Sequence, residues 1–299
     1  MKTIAIIFGG DNYEHRESIK ATRLLYKYID KLFDTYHFKF YYLTKKNKWA
    51  TEDYSNMMIN EQFSKVCNYI NDYHHHKYNN KRMLDLKNTD LIYNTMMGQI
   101  GEDGSIMGLA NIINVPIIGC GILASSVSLD KHLSKILVST LGINTTKSLL
   151  VDKREKINDV ISNVHRKINY PCFVKPTNLG TSYFVFRANN ENELRKKFSH
   201  ALKHNQRSDK YLIEEYIDNT EVRIFIYQDK FNRIVTNDLY TTQLNLSYLD
   251  DHKGSLFHKL DNNFQSRLRR KIKKYATQIF HLKQIKDLCS IFFCRKRYK

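Results

Sequence analysis

The protein has 299 residues, of which 42% are hydrophobic, enough to bury a sizeable core in two or three domains. The formal net charge is +18, and no run approaches the roughly 18 to 20 apolar residues that a membrane span needs. These properties exclude a membrane-spanning protein. The first apolar run, Ile4–Phe8, is too short for a signal peptide, and we expect it to form a first strand.

The positive charge raises nucleic acid as a possible partner. The densest basic run, residues 267–274, lies in a segment where Leu268, Ile272 and Ile279 fall on one helical face. The basic side chains then occupy the opposite, solvated face, which makes nucleic acid the less favoured partner. Five scattered cysteines without metal-ligand spacing predict reduced thiols and therefore a cytoplasmic protein.

The first half of the sequence alternates apolar strands with helical segments. A helix is expected over about residues 18–33, with Ser18 as its N-cap. The predicted strands are Ile4–Phe8, Phe38–Leu43, Asp90–Asn94 and Val115–Ile118. This alternation predicts a parallel sheet, and so an α/β domain.

Beyond residue 150 the strands are grouped instead of alternating with helices. Strands are expected at residues 172–175, 183–186, 211–214 and 221–227, with the first two paired around a glycine-bearing loop. Helices are expected at residues 131–141, 191–204 and 263–280. This pattern is typical of α+β domains.

The segment from Asn94 to Lys135 contains the most informative motifs. A glycine-acidic turn at residues 101–104 precedes an apolar helix and a short strand, and a Gly-Cys-Gly loop at residues 119–121 leads to Asp130-Lys131. In this order and at this spacing, the motifs resemble the D-alanine–D-alanine ligase family, within the ATP-grasp carboxylate–amine ligases. The resemblance covers residues 4–291.

The resemblance implies three domains of an α/β protein. An N-terminal parallel-sheet (pre-ATP-grasp) domain on the substrate side would span residues 1–119. Two α+β ATP-grasp subdomains would follow, a central one at residues 120–213 and a C-terminal one at residues 214–299. The last is expected to be incomplete, so that the chain would be a truncated or degenerate member of the family.

Two lysines are candidates for binding nucleotide phosphates. Lys175 ends a predicted strand and precedes a loop containing Gly, Thr and Ser, so that backbone amides and an ammonium group could meet a polyanion. The resemblance implies phosphate contacts for Lys175 and for Lys131, and places Ser182 in the same phosphate loop. Taken alone, each lysine is more commonly a surface charge than a phosphate ligand.

The nucleoside needs an apolar slot and an acid for the sugar hydroxyls. The sequence from Leu212 to Glu221 resembles the family segment that provides both. The resemblance implies that Glu214, Tyr216 and Ile217 line the adenine site and that Glu221 binds the ribose. The alternative from the residues alone is an edge strand with a solvated acidic face.

The start of the chain carries the predicted substrate contact. Residues 8–18, Phe-Gly-Gly-Asp-Asn-Tyr-Glu-His-Arg-Glu-Ser, resemble the opening signature of the family. The resemblance implies that Glu14 binds the amino group of the first substrate and that Glu14 is linked to Thr181, which takes the place of a family serine. Tyr248 is a weaker candidate for the family tyrosine that completes this network.

The sequence departs from the family pattern at several positions. Met97 replaces a histidine, and Phe184 replaces a glycine of the phosphate loop. Near the C-terminus, Ser290 and Phe292 occupy the arginine and aspartate positions, and the strand that carries the family Glu and Asn is not found. ATP and Mg²⁺ are both expected from the family, but the sequence offers no metal ligands at these positions.

The resemblance predicts an ATP-dependent carboxylate–amine ligase that forms a dipeptide through an acyl phosphate, for cell-wall peptidoglycan synthesis. Its partners would be ATP and amino-acid substrates, with a homodimer as the expected assembly. The alternative is an inactive homologue that binds nucleotide or a small ligand without turnover. A basic nucleic-acid binder is a third hypothesis that depends on charge alone.

Overall fold

The structure is a computed structural model that describes residues 1–60, 81–242, 257–259, 266–285 and 288–296. The chain divides into two compact units. Unit 1 contains Met1–Leu129 and Asn178–Tyr183, and unit 2 contains Asp130–Thr177 and Phe184–Lys299. In these described ranges no helix is long and apolar enough to cross a membrane. The three-part division at residues 119 and 213 stays a prediction.

Unit 1 is built on a four-stranded sheet in the order β2-β1-β3-β4. All three strand pairs are parallel, as the alternating pattern of the sequence predicts. The strands are β1 Lys2–Gly9, β2 Tyr36–Leu43, β3 Leu91–Asn94 and β4 Ile117–Ile118. The helices are α1 His15–Ile29, α2 Glu52–Asn60, α3 Lys81–Asp85, α4 Ser105–Ile112 and α5 Ile122–Leu129.

Strand β1 is buried on both faces, which explains its unbroken apolar run. Ala5 and Ile7 belong to one hydrophobic cluster, and Ile6 and Phe8 belong to the other, because successive side chains point to opposite faces. The carboxyl end of β1 is therefore buried on both sides. The loop that follows it, which carries Glu14, starts from this fixed point.

The predicted N-cap role of Ser18 is wrong. Helix α1 begins at His15, so Ser18 lies in its first turn and is fully buried. Its hydroxyl accepts a hydrogen bond from the backbone N–H of Gly9 (2.8 Å) and donates one to the carbonyl of Thr95 (2.9 Å). Ser18 therefore joins α1 to the ends of two neighbouring strands, a tertiary role that capping statistics do not anticipate.

Unit 2 contains two antiparallel sheets. The first has the order β5-β8-β6-β7 and packs α7 and α8 around a core that includes Val160, Val174 and Phe198. Its strands are β5 Ser148–Asp152, β6 Cys172–Pro176, β7 Phe186–Ala188 and β8 Lys210–Glu215. The associated helices are α6 Lys131–Ser139, α7 Ile157–Lys167 and α8 Glu191–His204.

Strand β7 begins later than predicted. The sequence predicts a strand over residues 183–186, whereas the structure pairs Phe186–Ala188 with β6. Thr181, Ser182 and Phe184 adopt positive φ angles of 40°, 62° and 56°, which turn the chain and prevent an extended strand there. The loop between β6 and β7 is correspondingly longer.

The second sheet of unit 2 has the order β11-β10-β9-β12, and helix α9 packs on β9 and β10. Its elements are β9 Asn219–Gln228, β10 Ile234–Thr242, β11 Phe257–Lys259, α9 Ser266–Leu282 and β12 Leu288–Lys296. Ile272 and Ile279 are buried on α9, whereas Arg267, Arg270 and Lys274 are exposed. The predicted solvated basic face of this helix is thereby confirmed.

Candidate functional site

The predicted site residues divide between the two units. Glu14, Thr181 and Ser182 belong to unit 1, because residues 178–183 group with the N-terminal part of the chain. The other candidates belong to unit 2: Lys131, Lys175, Glu214, Tyr216, Ile217 and Glu221.

In unit 1 the glycine-acidic motif forms a tightly hydrogen-bonded turn. The Glu102 carboxylate accepts a bond from the N–H of Gly98 (2.8 Å), and Asp103 accepts bonds from the N–H groups of Ile100 and Ser105 (2.9 Å each). The motif's acidic side chains thus satisfy backbone donors of the turn itself. They fix the position of Gly98, which has a φ of +68°.

The Glu14 carboxylate lies between two glycines from distant parts of the sequence. A Cβ atom at Gly98 would be 2.1 Å from Glu14 Oε2, and one at Gly180 would be 2.6 Å from Glu14 Oε1. Glu14 is only 4% exposed, and its backbone N–H donates to the side chain of Asn12 (2.8 Å). A buried carboxylate held this closely is a suitable binding group for an ammonium ion.

The loop at residues 178–183 contains Gly180, which lies against Glu14. Thr181 and Ser182 are the next two residues of this loop. Both side chains are exposed. Tyr183 stacks on Tyr13, with ring centroids 5.4 Å apart. Burial raises the pKa of Tyr183, and the nearby Glu17 and Glu14 carboxylates raise it further. The loop therefore carries hydroxyl groups beside an acidic, partly desolvated region of unit 1.

In unit 2, Lys131 is the first residue of α6, which Asp130 caps. The Asp130 side chain accepts bonds from the N–H groups of His132 and Leu133 (2.9 Å each). The backbone N–H of Lys131 donates to the carbonyl of Thr177 (2.9 Å), two residues after Lys175. The start of α6 is thus tied to the end of the strand that carries the second lysine.

Glu214 and Lys175 form an ion pair on the face of the sheet opposite the α7 and α8 core. Side chains alternate along β8, so Ile213 enters the core while Glu214 points away from it. Lys175 bonds Glu214 Oε2, and Lys135 of α6 bonds Oε1. The hydroxyl of Thr146 also bonds Oε1 (2.8 Å). Two residues predicted separately for the nucleotide site are therefore in contact.

The Glu214 carboxylate is held in its charged form. Burial alone would raise its pKa, because the side chain is only 7% exposed. The ammonium groups of Lys175 and Lys135 outweigh that effect and hold the pKa below its usual value. The cluster of Glu214, Lys135 and Lys175 therefore contains two positive charges and one negative charge.

Lys135 is a residue that sequence reasoning missed. It follows Lys131 by four positions, which places both lysines on the same side of α6 one turn apart. That spacing is a signal visible in the sequence, but it does not indicate which distant carboxylate would meet the second lysine.

The remaining candidates follow β8 and occupy β9. The Arg187 guanidinium lies 4.0 Å from the ring centroid of Tyr216, a cation–π contact that covers one face of the ring. Ile217 is partly buried. Burial raises the pKa of the Glu221 carboxyl on β9, although the charge of Arg223 on the same strand partly offsets the increase. Tyr248 lies outside the described residues.

The described side chains form no cluster of metal ligands. Among them, no group of three or more His, Cys, Asp or Glu side chains could hold a metal. Phe292, which we expect at the position of the family aspartate, lies on β12 opposite Arg223 of β9. A phenylalanine offers no oxygen ligand, and a hard cation requires several of them.

Both halves of the chain match models of one protein family. The "D-ala D-ala ligase N-terminus" model matches residues 3–120, and the "D-ala D-ala ligase C-terminus" model matches residues 137–298. Two similar solved structures are the VanG D-Ala:D-Ser ligase of Enterococcus faecalis (TM-score 0.75, 19% identity) and the D-alanyl-alanine synthetase A of Vibrio cholerae (0.76, 17%). Each aligns over 99% of this chain, and over 86% and 85% of its own chain, respectively.

Sequence relatives are consistent with these matches. The D-alanine–D-alanine ligase of Prochlorococcus marinus (strain MIT 9215) is 29% identical over 93% of this chain and 80% of its own length. The enzyme of the same name from Wigglesworthia glossinidia brevipalpis is 31% identical over 75% of this chain and 65% of its own length. The chain therefore belongs to the D-alanine–D-alanine ligase family, whose members are ATP-dependent ligases.

Proposed function

We propose that this protein joins two molecules of D-alanine in an ATP-dependent reaction. The γ-phosphoryl group of ATP is transferred to a carboxylate oxygen of the first D-alanine, which gives an acyl phosphate and ADP. The amine of the second D-alanine then attacks the acyl carbon and loses a proton. The new C–N bond forms as the C–O bond breaks, and inorganic phosphate leaves with the bonding electrons.

One observation carries the nucleotide part of this proposal. Separate sequence motifs predict Lys175 and Glu214 for the same ATP site, and the two residues form an ion pair in unit 2. Lys175 and Lys131 bind the phosphates, to which Ser182 of the loop also donates. Tyr216 and Ile217 line the adenine slot, and Glu214 accepts a hydrogen bond from the adenine amino group.

The substrate part of the proposal depends on Glu14 and the loop beside it. Glu14 binds the ammonium group of the first D-alanine, and its burial strengthens that ion pair. Thr181 provides the hydroxyl through which Glu14 is linked to the phosphate loop. In the nucleotide site, Glu221 accepts hydrogen bonds from the ribose hydroxyls.

Magnesium is the expected companion of ATP in this family, but the described residues do not form a site for it. The positive charges that the chain offers to the phosphates are those of Lys131 and Lys175. A cytoplasmic location and a homodimer are further parts of the proposal; light scattering of the purified protein tests the second.

The test is phosphate release from ATP by the purified protein with Mg²⁺ and D-alanine, together with mass spectrometry of the product. We expect phosphate release to require D-alanine and to match formation of D-alanyl-D-alanine mole for mole. L-alanine serves as the control for the amino-acid substrate. ATP binding without D-alanine-dependent phosphate release would reject turnover and favour a homologue that only binds nucleotide.

A further inference from the structure

Lys135 is held at several points by groups from other elements. Its ammonium group donates to the carbonyl of Thr146 (2.8 Å), to the hydroxyl of Thr146 (2.5 Å) and to Glu214 Oε1. Its side chain is only 17% exposed. Three acceptors match the three donors of an ammonium group, so the charge is fully satisfied where it stands.

Lys175 is held less tightly. Its side chain is 26% exposed, and within the described part of the chain Glu214 is the partner that the structure gives its ammonium group. It extends from β6, the strand that precedes the proposed phosphate loop in sequence. The two lysines thus differ: Lys135 is anchored at several points, and Lys175 can exchange one acceptor for another.

The exchange would leave a buried carboxylate behind. Glu214 is almost fully inaccessible to water, and an uncompensated buried charge is strongly unfavourable. The groups facing it are Lys135 from α6, Lys175 from β6 and the Thr146 hydroxyl from the segment before β5. If Lys175 turns to a phosphate, Lys135 is the cation that remains beside Glu214.

We propose that Lys135 is a positioning residue that keeps Glu214 charged and fixed in place while Lys175 moves from this carboxylate to a nucleotide phosphate. This inference rests on the proposed ATP site. It assigns to α6 a second lysine with a role distinct from that of Lys131, because Lys135 acts through Glu214 and does not contact the nucleotide. Its effect therefore appears in the protonation of Glu214.

The test measures proton uptake on nucleotide binding. The protein is titrated with ATP in a calorimeter, in two buffers of different ionisation enthalpy, which gives the number of protons bound per ATP. The pH is about 7.5, where carboxylates with ordinary pKa values are ionised. The proteins are the unmodified chain, K135M, K135R and the control K196M, which removes an exposed lysine of α8. K135M is expected to take up more protons than the unmodified chain and to bind ATP about tenfold more weakly.

The matched variants separate charge from packing. K135R keeps a cation beside Glu214, so its proton uptake should equal that of the unmodified protein, as should that of K196M. Adding E214Q to K135M removes the group that takes the proton, so the extra uptake should disappear. If K135M fails to fold, T146V replaces it in the test. This variant removes the hydroxyl that accepts from Lys135 and donates to Glu214, and we expect it to raise proton uptake and weaken ATP binding, as K135M would.

Several results would overturn this inference. One is ATP binding by K135M within about twofold of the unmodified affinity and with unchanged proton uptake. Extra uptake that persists after E214Q, or that also appears in K196M, would do the same. If the unmodified chain and K196M both fail to bind ATP, the proposed function itself fails, which is distinguishable from a loss confined to the Lys135 variants.

Discussion

Gly180 lies so close to Glu14 that a side chain at position 180 would push against the Glu14 carboxylate. A Cβ atom at position 180 would be 2.6 Å from Glu14 Oε1 and 3.1 Å from Oε2. Residues 14 and 180 are therefore close in space although they are far apart in sequence. The glycine allows the loop at residues 178–183 to rest directly on the acid proposed to bind the substrate amine.

We therefore expect G180A to reduce D-alanine-dependent phosphate release by about 100-fold, because a loop displaced by an ångström misplaces the reacting groups. The matched control is G121A, where an added Cβ meets no atom within 4 Å. The control should retain full activity. Equal rates for G180A and the unmodified protein would show that the loop does not need this close approach.

The charge of Glu14 is expected to be essential for substrate binding. E14Q keeps the size of the side chain but replaces the carboxylate that would pair with the substrate ammonium group. The KM for D-alanine should rise at least about tenfold, because hydrogen bonds to charged groups contribute about 1.5–3 kcal/mol. Initial rates at varied D-alanine and saturating ATP provide the measurement. D53N, at an exposed acid of α2, is the control and should leave KM unchanged.

Adjacent glutamates on β8 should differ sharply in their contribution to stability. E214Q removes the negative charge that compensates Lys135 and Lys175 in a buried site, and we expect it to lower the free energy of unfolding by about 3 kcal/mol. E215Q retains an oxygen that can accept the N–H of Lys147 (2.8 Å), and its effect should stay within about 0.5 kcal/mol. Urea unfolding of both variants gives the comparison.

The same pair predicts a dependence on pH. The folded-state pKa of Glu214 is lowered, so its stabilising contribution is present above the pKa of the unfolded chain and is lost as pH falls through the folded value. The difference in stability between the unmodified protein and E214Q should therefore shrink below about pH 4. A difference that stays constant in acid would contradict an ionised Glu214.

Much of the fold could be predicted because its signals are local. The parallel sheet of unit 1 is confirmed, since continuous apolar runs such as Ile4–Phe8 are typical of strands buried on both faces. Helix α8 is confirmed as well, at residues 191–204. Assignment to the ligase family came from the order of several motifs, and the matches over both halves of the chain confirm it.

The features that were missed depend on distant partners. Lys135 meets a carboxylate 79 residues away, and no local pattern indicates that pairing. Serine is a residue type favoured at helix N-caps, but two tertiary hydrogen bonds determine the position of Ser18. The predicted start of β7 at residue 183 is wrong because Thr181 and Phe184 have positive φ angles. Threonine and phenylalanine rarely adopt such angles, so the sequence does not indicate the turn. The roles of the individual site residues stay predictions.

His15, next to Glu14, provides the last prediction. It is 4% exposed, with Nδ1 2.7 Å from the carbonyl of Gly10 and Nε2 2.9 Å from the Tyr42 hydroxyl. Since a carbonyl can only accept, Nδ1 carries the proton, and in the neutral ring Nε2 accepts from Tyr42. Burial lowers the pKa of His15, more than the Gly10 carbonyl raises it.

Because the folded-state pKa lies below that of the unfolded chain, the unfolded state binds more protons as pH falls through about 6.5. His15 thus lowers stability in mild acid, as pH falls from 7.5 to 5.5. H15Q should flatten this dependence, whereas H37Q, at an exposed position on β2, should leave it unchanged. Urea unfolding of the three proteins at both pH values decides, and equal slopes would mean that His15 is not the titrating group.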